Sequence, residues 1–461
     1  RGLVVYHAAD RDTPAVRMAD LAIEITGSTP VAAYLDSAQI VEKAKDACAS
    51  AIHPGYGFLS ENAAFARAVA EAGITFVGPS PETIELMGDK VRARAFVESH
   101  GFPVAPSAIE DDDPATFVER ARAVGTPLLI KPSAGGGGKG MRIVRDLTVL
   151  EEEIDRARSE GLRYFGDGRL YVERYVECPR HIEVQILGDT HGNVVHVHER
   201  ECSIQRRFQK IIEESPAPGL TPEERKHICE VAAGIAKAAN YCNAGTVEFI
   251  YGGGEFFFLE TNTRLQVEHP VTEEVTGIDL VAEQLRIAAG RPISRAQEDI
   301  SSSGHAIELR LYAEDTARDF APTTGPILAF RPPEGVRVDA GVVEGGAVTA
   351  AFDPMIAKVI VHGKDRAQAL DRADAALADL VLLGCRTNAG YLRRLLADAD
   401  VRKGNFHTGT IAEKPELAAD TPLDGMAKAR LLAAASLVLR PVRDAADAVP
   451  TIHAAIGGWG N

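Results

Sequence analysis

The chain has 461 residues, of which 45% are hydrophobic and 25% charged, with a formal net charge of −16. That length suggests two to four domains at roughly 100–200 residues each; no apolar run approaches the roughly 18–20 residues of a membrane span, and so acidic a chain lacks the basic field of a general nucleic-acid binder. Cys48, Cys178, Cys202, Cys229, Cys242 and Cys385 form no C-x-x-C pair, so they read as scattered thiols of a reducing compartment, cytoplasm or mitochondrial matrix, and not as a disulfide framework.

Both ends read as cut. No initiator Met precedes Arg1, a buried strand is expected from Leu3, and Gly457–Asn461 reads as a linker, so no targeting signal is legible. Over residues 1–88, the short apolar runs Leu3–Tyr6, Leu21–Ile25, Ala51–His53 and Ile74–Val77 alternate with helical patterns at Val41–Ala49 and Asn62–Ala72. This is the signature of α/β structure with a parallel sheet. A connecting helix is expected from Asp89 to residue 102. Residues 103–175 read as a small α/β unit, with strands at Leu128–Ile130 and Met141–Val144 and a helix over Leu147–Ser159, capped by Asp146 or Thr148.

Residues 176–415 are richer in antiparallel signals. His181–Leu187 and Val194–His198 flank a turn-rich segment, and Thr246–Tyr251 and Glu255–Glu260 flank Gly252-Gly253-Gly254. Amphipathic and Ala/Leu-rich helices are expected over 365–380 and 424–440, followed by a linker with Pro441 and Pro450.

Gly135-Gly136-Gly137-Gly138-Lys139-Gly140 is the loudest local signal. Without Cβ atoms, consecutive backbone N–H groups can converge on an anion, and Lys131 and Lys139 add positive charge. A dinucleotide fingerprint would open a helix directly afterwards, but strand-like Met141–Val144 follows. The sequence therefore predicts a glycine flap between two strands, folding over phosphates.

From Leu259 the chain alternates, placing Glu260, Asn262, Arg264, Gln266 and Glu268 at even positions. If extended throughout, one face carries them all. An odd-numbered loop at Gly252–Gly254 would put Glu248 on that face too, as a diagonal neighbour of Glu260; a two-residue loop would put the two on opposite faces. Carboxylates so placed resist ionising unless a cation lies between them, and Mg²⁺ suits one or two carboxylates plus phosphate and water. The plainer alternative is a polar strand face turned to solvent.

Arg200–Lys210 holds four cations in eleven residues, enough to serve an anionic substrate, or simply a solvated run partnered by Glu213 and Glu214. His196 and His198 share a strand face with Cys202 near, but a zinc site usually wants four clustered ligands.

Seven phrases in order resemble the biotin carboxylase family of ATP-grasp enzymes. They are His53–Asn62, Met87–Lys90, the glycine loop, Glu199–Arg207, Glu260–Thr272, His305–Arg310 and Phe352–Lys358. The resemblance implies an ATP-grasp fold, α/β overall and α+β toward the C-terminus. Its parts are a Rossmann-like parallel-sheet domain (1–88), the connecting helix (89–102), a glycine-flap lid domain (103–175), a larger mixed or antiparallel domain (176–415) and a trailing helix and linker (416–461).

It also implies roles. Lys90, Lys131 and Lys210 would contact nucleotide phosphates or the reacting anion. Glu173, His181 and Gln205 would belong to the nucleotide and cofactor site, with Gly136, Gly137 and Gly138 in the lid. Glu248, Glu260 and Asn262 would hold Mg²⁺ or Mn²⁺. Arg264, Gln266 and the Val267 backbone would hold bicarbonate, with Glu268 as its base. Arg310 would stabilise the enolate-like biotin, against which Tyr56 would lie. The implied cofactors and substrates are ATP, Mg²⁺, bicarbonate and biotin on a carrier domain. The implied partners are that carrier domain and a carboxyltransferase subunit, with homo-oligomers inside a larger complex. The implied reaction is the first half-reaction of an acyl-CoA carboxylase, whose α subunits the tail after residue 415 resembles.

Some positions depart from the family. About 25 residues of its first strand and loop are missing before Arg1. Arg174 stands where many relatives have lysine, Phe208 where some have histidine, and no Met-Lys-Met biotinylation site is present. Another ATP-grasp ligase or a degenerate nucleotide-binding subunit are the competing readings; Arg264, Gln266, Glu268 and Arg310 argue against the first, and Glu248, Glu260, Glu268 and Arg310 against the second.

Overall fold

The computed structural model describes residues 1–110, 113–132, 141–165, 167–419 and 424–447. Residues 1–417 form one compact unit and 418–461 a second. In the second, the helix spans Gly425–Asp447. It is longer than the 424–440 expected and continues past Pro441, whose nitrogen carries no hydrogen for the preceding turn. No described helix is long and apolar enough to cross a membrane.

The N-terminal strands pair in parallel, but as two separate pairs: Leu3–Tyr6 with Leu21–Glu24, and Ala51–Ile52 with Thr75–Phe76. The helices around them start where a side chain takes up a free N–H. Asp36 accepts from Gln39 N ahead of Ser37–Asp46, and Asn62 accepts from Phe65 N ahead of Ala63–Glu71. Asp89 likewise caps the connecting helix Lys90–Ser99.

A four-stranded antiparallel sheet follows, in the order Ser107–Ile109, Leu170–Arg174, Leu128–Pro132, Arg142–Val144. Helices Phe117–Val124 and Leu150–Phe165 cover it, burying Phe117, Leu128, Ile130, Leu150, Ile154 and Val172. Asp146 caps a short 3₁₀ turn just before the second helix. The two strands expected to flank the glycine loop are adjacent; the loop itself, with Gly136, Gly137 and Gly138, lies outside the described residues.

The dominant element is an eight-stranded antiparallel sheet. Its order is Glu255–Asn262, Asn243–Gly252, Arg180–Gly188, Val194–Arg206, Gln209–Ser215, His305–Tyr312, Met355–Gly363, Arg337–Ala340. Strand Arg180–Gly188 shows how the sheet divides its faces. Ile182, Val184 and Ile186 point into an apolar core with Ile228, Val231, Ala232 and Ile235 of helix Pro222–Ala238. His181, Glu183 and Gln185 point the other way and are still buried. Polar groups this deep must be paired, and that second face is the site.

Candidate active site

The sheet register makes Glu260, Glu248, Glu183 and Arg200 successive cross-strand partners on four neighbouring strands. Three adjacent carboxylates repel one another. Three cations and an imidazole offset this. Arg200, fully buried, donates from Nε to Glu183 at 2.5 Å and from Nη1 and Nη2 to Gln185, Thr272 and Thr246. Lys210 Nζ donates to Glu183 at 2.6 Å, Glu248 at 3.0 Å and Glu268 at 2.5 Å. His181 Nε2 lies 2.7 Å from Glu248, and Lys90 Nζ 2.7 Å from Glu260.

Glu248 and Glu260 face each other directly and are not diagonal neighbours. The hairpin turn is the two-residue Gly253-Gly254, with φ of 64° and 81°. Positive φ at both positions is the type I′ turn that glycine permits. Alone, it would put the two carboxylates on opposite faces. A bulge between Glu248 and Phe249 inserts Leu259 as an extra residue and restores the match.

The extended row expected through Glu268 stops at Asn262. Thr263 N leaves the ladder to donate to the Glu61 carboxylate at 2.9 Å, and helix His269–Thr276 begins with Pro270 in its first turn. The side chains converge even so. Asn262 Nδ2 and Gln266 Nε2 donate to Glu248 Oε1 at 2.8 and 3.0 Å. Arg264 donates to Gln266 Oε1 at 2.8 Å and to Glu61 at 3.0 Å. Glu268, the residue before the helix, sits between Lys210 and Arg310, accepting from Arg310 Nη2 at 2.9 Å. Arg310 Nε in turn donates to Glu213 at 2.5 Å. Lys210 and Glu213 share a face only because the register shifts by one residue at Ile211.

Burial alone would push Glu268 up, but Lys210, Arg310 and Arg200 outweigh it and hold its carboxyl well below the usual range. Burial likewise acts on Glu248, and Lys210 and His181 reverse it. His181 moves up, because Glu248 overcomes the burial that disfavours its cation. Glu213 goes the other way: burial pushes it up to about 7, with Arg310 opposing and Glu268 reinforcing. The site therefore holds an ionised carboxylate and a near-neutral-titrating one on the two sides of Arg310.

The other expected residues lie around this centre. Lys131 pairs with Glu173, which also accepts from Tyr171 OH at 2.9 Å, both on the small sheet. Gln205 is buried and is the cross-strand partner of Lys210. The Val267 carbonyl accepts from Lys358 Nζ at 2.6 Å. Tyr56 is exposed on the loop after Ala51–Ile52.

The basic run 200–210 is the end of one strand and the start of the next, meeting at Arg207-Phe208. Its cations pair with Glu183, Glu248, Glu268, Glu314 and Asp319, not with Glu213 and Glu214. Glu213 serves Arg310, and Glu214 serves His305 and Arg366.

The comparisons with known proteins agree in order along the chain. Residues 1–84 match the model of the biotin carboxylase N-terminal domain, 89–296 the ATP-binding domain of the carbamoyl-phosphate synthase L chain, and 308–413 the biotin carboxylase C-terminal domain. The biotin carboxylase of Haemophilus influenzae is 46% identical over 411 residues, covering 88% of this chain and 92% of that one. The chain belongs to the biotin carboxylase family.

The rat mitochondrial methylcrotonoyl-CoA carboxylase α subunit is 46% identical over 418 residues, but the chain spans only 58% of its length. The biotin carboxylase domain of Hydrogenobacter thermophilus 2-oxoglutarate carboxylase, solved with MgADP, ADP and bicarbonate, superposes with a TM-score of 0.81 at 42% identity. It covers 91% of this chain and 93% of that one. The ATP-grasp fold is thus that of biotin carboxylases.

Sequence reasoning missed Glu183, Glu213 and Glu61 in this biotin carboxylase site. Glu183 had a readable signal: His181, Glu183 and Gln185 alternate with Ile182, Val184 and Ile186. Glu213 and Glu61 had none, since a bulge and a contact across some 200 positions place them.

Proposed function

We propose that the chain uses Mg-ATP and bicarbonate to carboxylate biotin carried on a carrier domain, the first half-reaction of an acyl-CoA carboxylase. The observation that carries this is Glu268 held between Lys210 and Arg310 at 2.5 and 2.9 Å, buried, with Arg264 and Gln266 alongside. The reactants other than biotin are anions, so such chemistry demands positioning and charge neutralisation. Arg264, Gln266 and the Val267 backbone hold bicarbonate, and Glu268 takes its proton. The bicarbonate oxygen then attacks the γ-phosphorus, the bond to the bridging oxygen breaks and ADP leaves. Carboxyphosphate divides into CO₂ and phosphate, phosphate takes the ureido proton of biotin, and the nitrogen attacks CO₂ beside Arg310, with Tyr56 against the ring.

In its present pairing Glu268 is held below the usual carboxylate range by Lys210 and Arg310, which weakens it as a base. An arriving anion competes for Lys210 and Arg310, which frees the carboxylate and raises its basicity where and when the proton must move. Glu248 and Glu260, facing each other, and Asn262 on the same strand as Glu260 offer hard oxygen donors and fit Mg²⁺; bound there, the ion would neutralise phosphate charge. Lys90, now on Glu260, and Lys131, now on Glu173, would turn to phosphate with His181, Gln205 and the glycine flap (Gly136, Gly137, Gly138) completing the nucleotide site.

The same reading divides the chain into an N-terminal domain (1–88), connecting helix (89–102), lid (103–175), catalytic domain (176–415) and trailing helix (416–461). It pairs the chain with a carrier domain and a carboxyltransferase, as a homo-oligomer in the cytoplasm or mitochondrial matrix. The test is ADP release from Mg-ATP with and without bicarbonate and free biotin. Stimulation by both together is expected; a rate indifferent to bicarbonate would defeat the proposal.

A further inference from the structure

We infer that Glu61 is a positioning residue that sets the bicarbonate affinity of the site by aiming Arg264. This rests on the reading of Arg264 as a bicarbonate ligand. Glu61 lies at the end of the loop 53–62, in the N-terminal part of the chain, some 200 positions from the residues it holds. One of its oxygens accepts from Thr263 N at 2.9 Å, and the other from Arg264 Nε at 3.0 Å. A carboxylate bonded at both oxygens to successive residues fixes the backbone and the guanidinium together.

With Nε held by Glu61, the two Nη groups of Arg264 are left for other partners. Nη1 donates to Gln266 Oε1 at 2.8 Å, and Nη2 lies 3.4 Å from Asn262 Oδ1. The guanidinium plane is thereby aimed at the side chains beside Glu248. Without Glu61, the polar contacts left to Arg264 among the described residues come from its own turn: Asn262, Leu265 and Gln266. Arginine's long stem then has the rotamer freedom that the Nε contact removes.

The loop is also secured at its other end. His53 Nε2 lies 3.0 Å from Gln284 Oε1, and His53 Nδ1 accepts from Gly55 N at 3.0 Å. Glu61 and His53 thus join the loop bearing Tyr56 to the large-sheet domain at two points. Any displacement of that loop reaches Arg264 through Glu61.

The experiment is steady-state ADP release from Mg-ATP with free biotin, for the whole chain and its E61Q, R264Q and E61Q/R264Q variants. Loss of one charge-assisted hydrogen bond is expected to raise the KM for bicarbonate about 10-fold in E61Q. The KM for ATP and the thermal midpoint should stay within about twofold and a degree or two of the parent. E61Q/R264Q should match R264Q alone, because a residue acting through Arg264 has nothing left to aim.

A parental bicarbonate KM in E61Q, equal rises for bicarbonate and ATP, or independent effects that multiply in the double variant would overturn the inference and leave the site reading standing. A parent whose ADP release ignores bicarbonate would overturn both. If E61Q does not fold, E61D, which keeps the charge one methylene short, should show the same rise confined to bicarbonate.

Discussion

Replacing Lys210 by methionine removes the ammonium that three buried carboxylates share while keeping most of the stem volume. Its contacts to Glu183, Glu248 and Glu268 at 2.6, 3.0 and 2.5 Å each correspond to on the order of 6 kcal/mol of attraction at an effective dielectric of about 20. Most of that offsets desolvation. Breaking a buried pair costs about 3–5 kcal/mol net, so about 4 kcal/mol is expected at pH 8. With about 2.1 cal/mol/K per residue, the 417 residues of the main unit give a midpoint drop of about 5 °C.

The pH dependence distinguishes this charge effect from simple loss of packing. In the parent, Glu248 and Glu268 bind protons more weakly folded than unfolded. They therefore stabilise above their ordinary range, and lose that effect as pH falls through their lower folded values. In Lys210→Met the largest lowering charge is gone, so both carboxyls move up although Arg310, Arg200 and His181 remain; the folded state binds their protons more tightly than in the parent, and the variant loses less stability as pH falls. The gap between parent and variant is then wide near about pH 8 and narrows toward about pH 5. Calorimetric unfolding at the two pH values measures it. A gap under about 1 kcal/mol, or one of equal size at both, would show that Lys210 is not the compensating charge.

Arg310→Ala should bind Mg-ATP within a few-fold of the parent by titration calorimetry while losing at least about 100-fold in biotin-dependent ADP release. Parental turnover in that variant would remove Arg310 from the chemistry. Glu248→Gln should raise the Mg²⁺ concentration needed for half-maximal rate by about 10-fold or more, read from a Mg²⁺ titration at fixed ATP. The Glu213 carboxyl is raised to about 7, so the folded state holds its proton more tightly than the unfolded one. Stability is then lost as pH rises from the ordinary carboxylate range to about 7. Glu213→Gln should flatten that part of the stability profile, and an unchanged slope in denaturant melts would assign it to other groups.

The alternation His181–Leu187, the presence of a glycine hairpin at 252–254 and the capping residue Asp146 are local, and each was legible because backbone geometry and hydrogen bonding act over a few residues. The family resemblance, carried by seven ordered phrases, pointed to the fold and to most of the side chains that gather around Glu248 and Glu268. Not legible were the offsets: the bulge that turns Glu248 toward Glu260, the one at Ile211 that puts Glu213 on the face of Lys210, and the break at Thr263. A one-residue shift reverses which face a side chain occupies, and no periodicity in the chain reports it.

By itself, then, the sequence determined the local alternations and turns, which family the chain resembles and which charges are available. Only the tertiary structure decided which charges meet. Glu183, Glu248 and Glu268 come from three separate segments, and Lys210 from a fourth. Their pairing depends on register across the sheet, and their protonation on a burial that exists only once the sheet is covered.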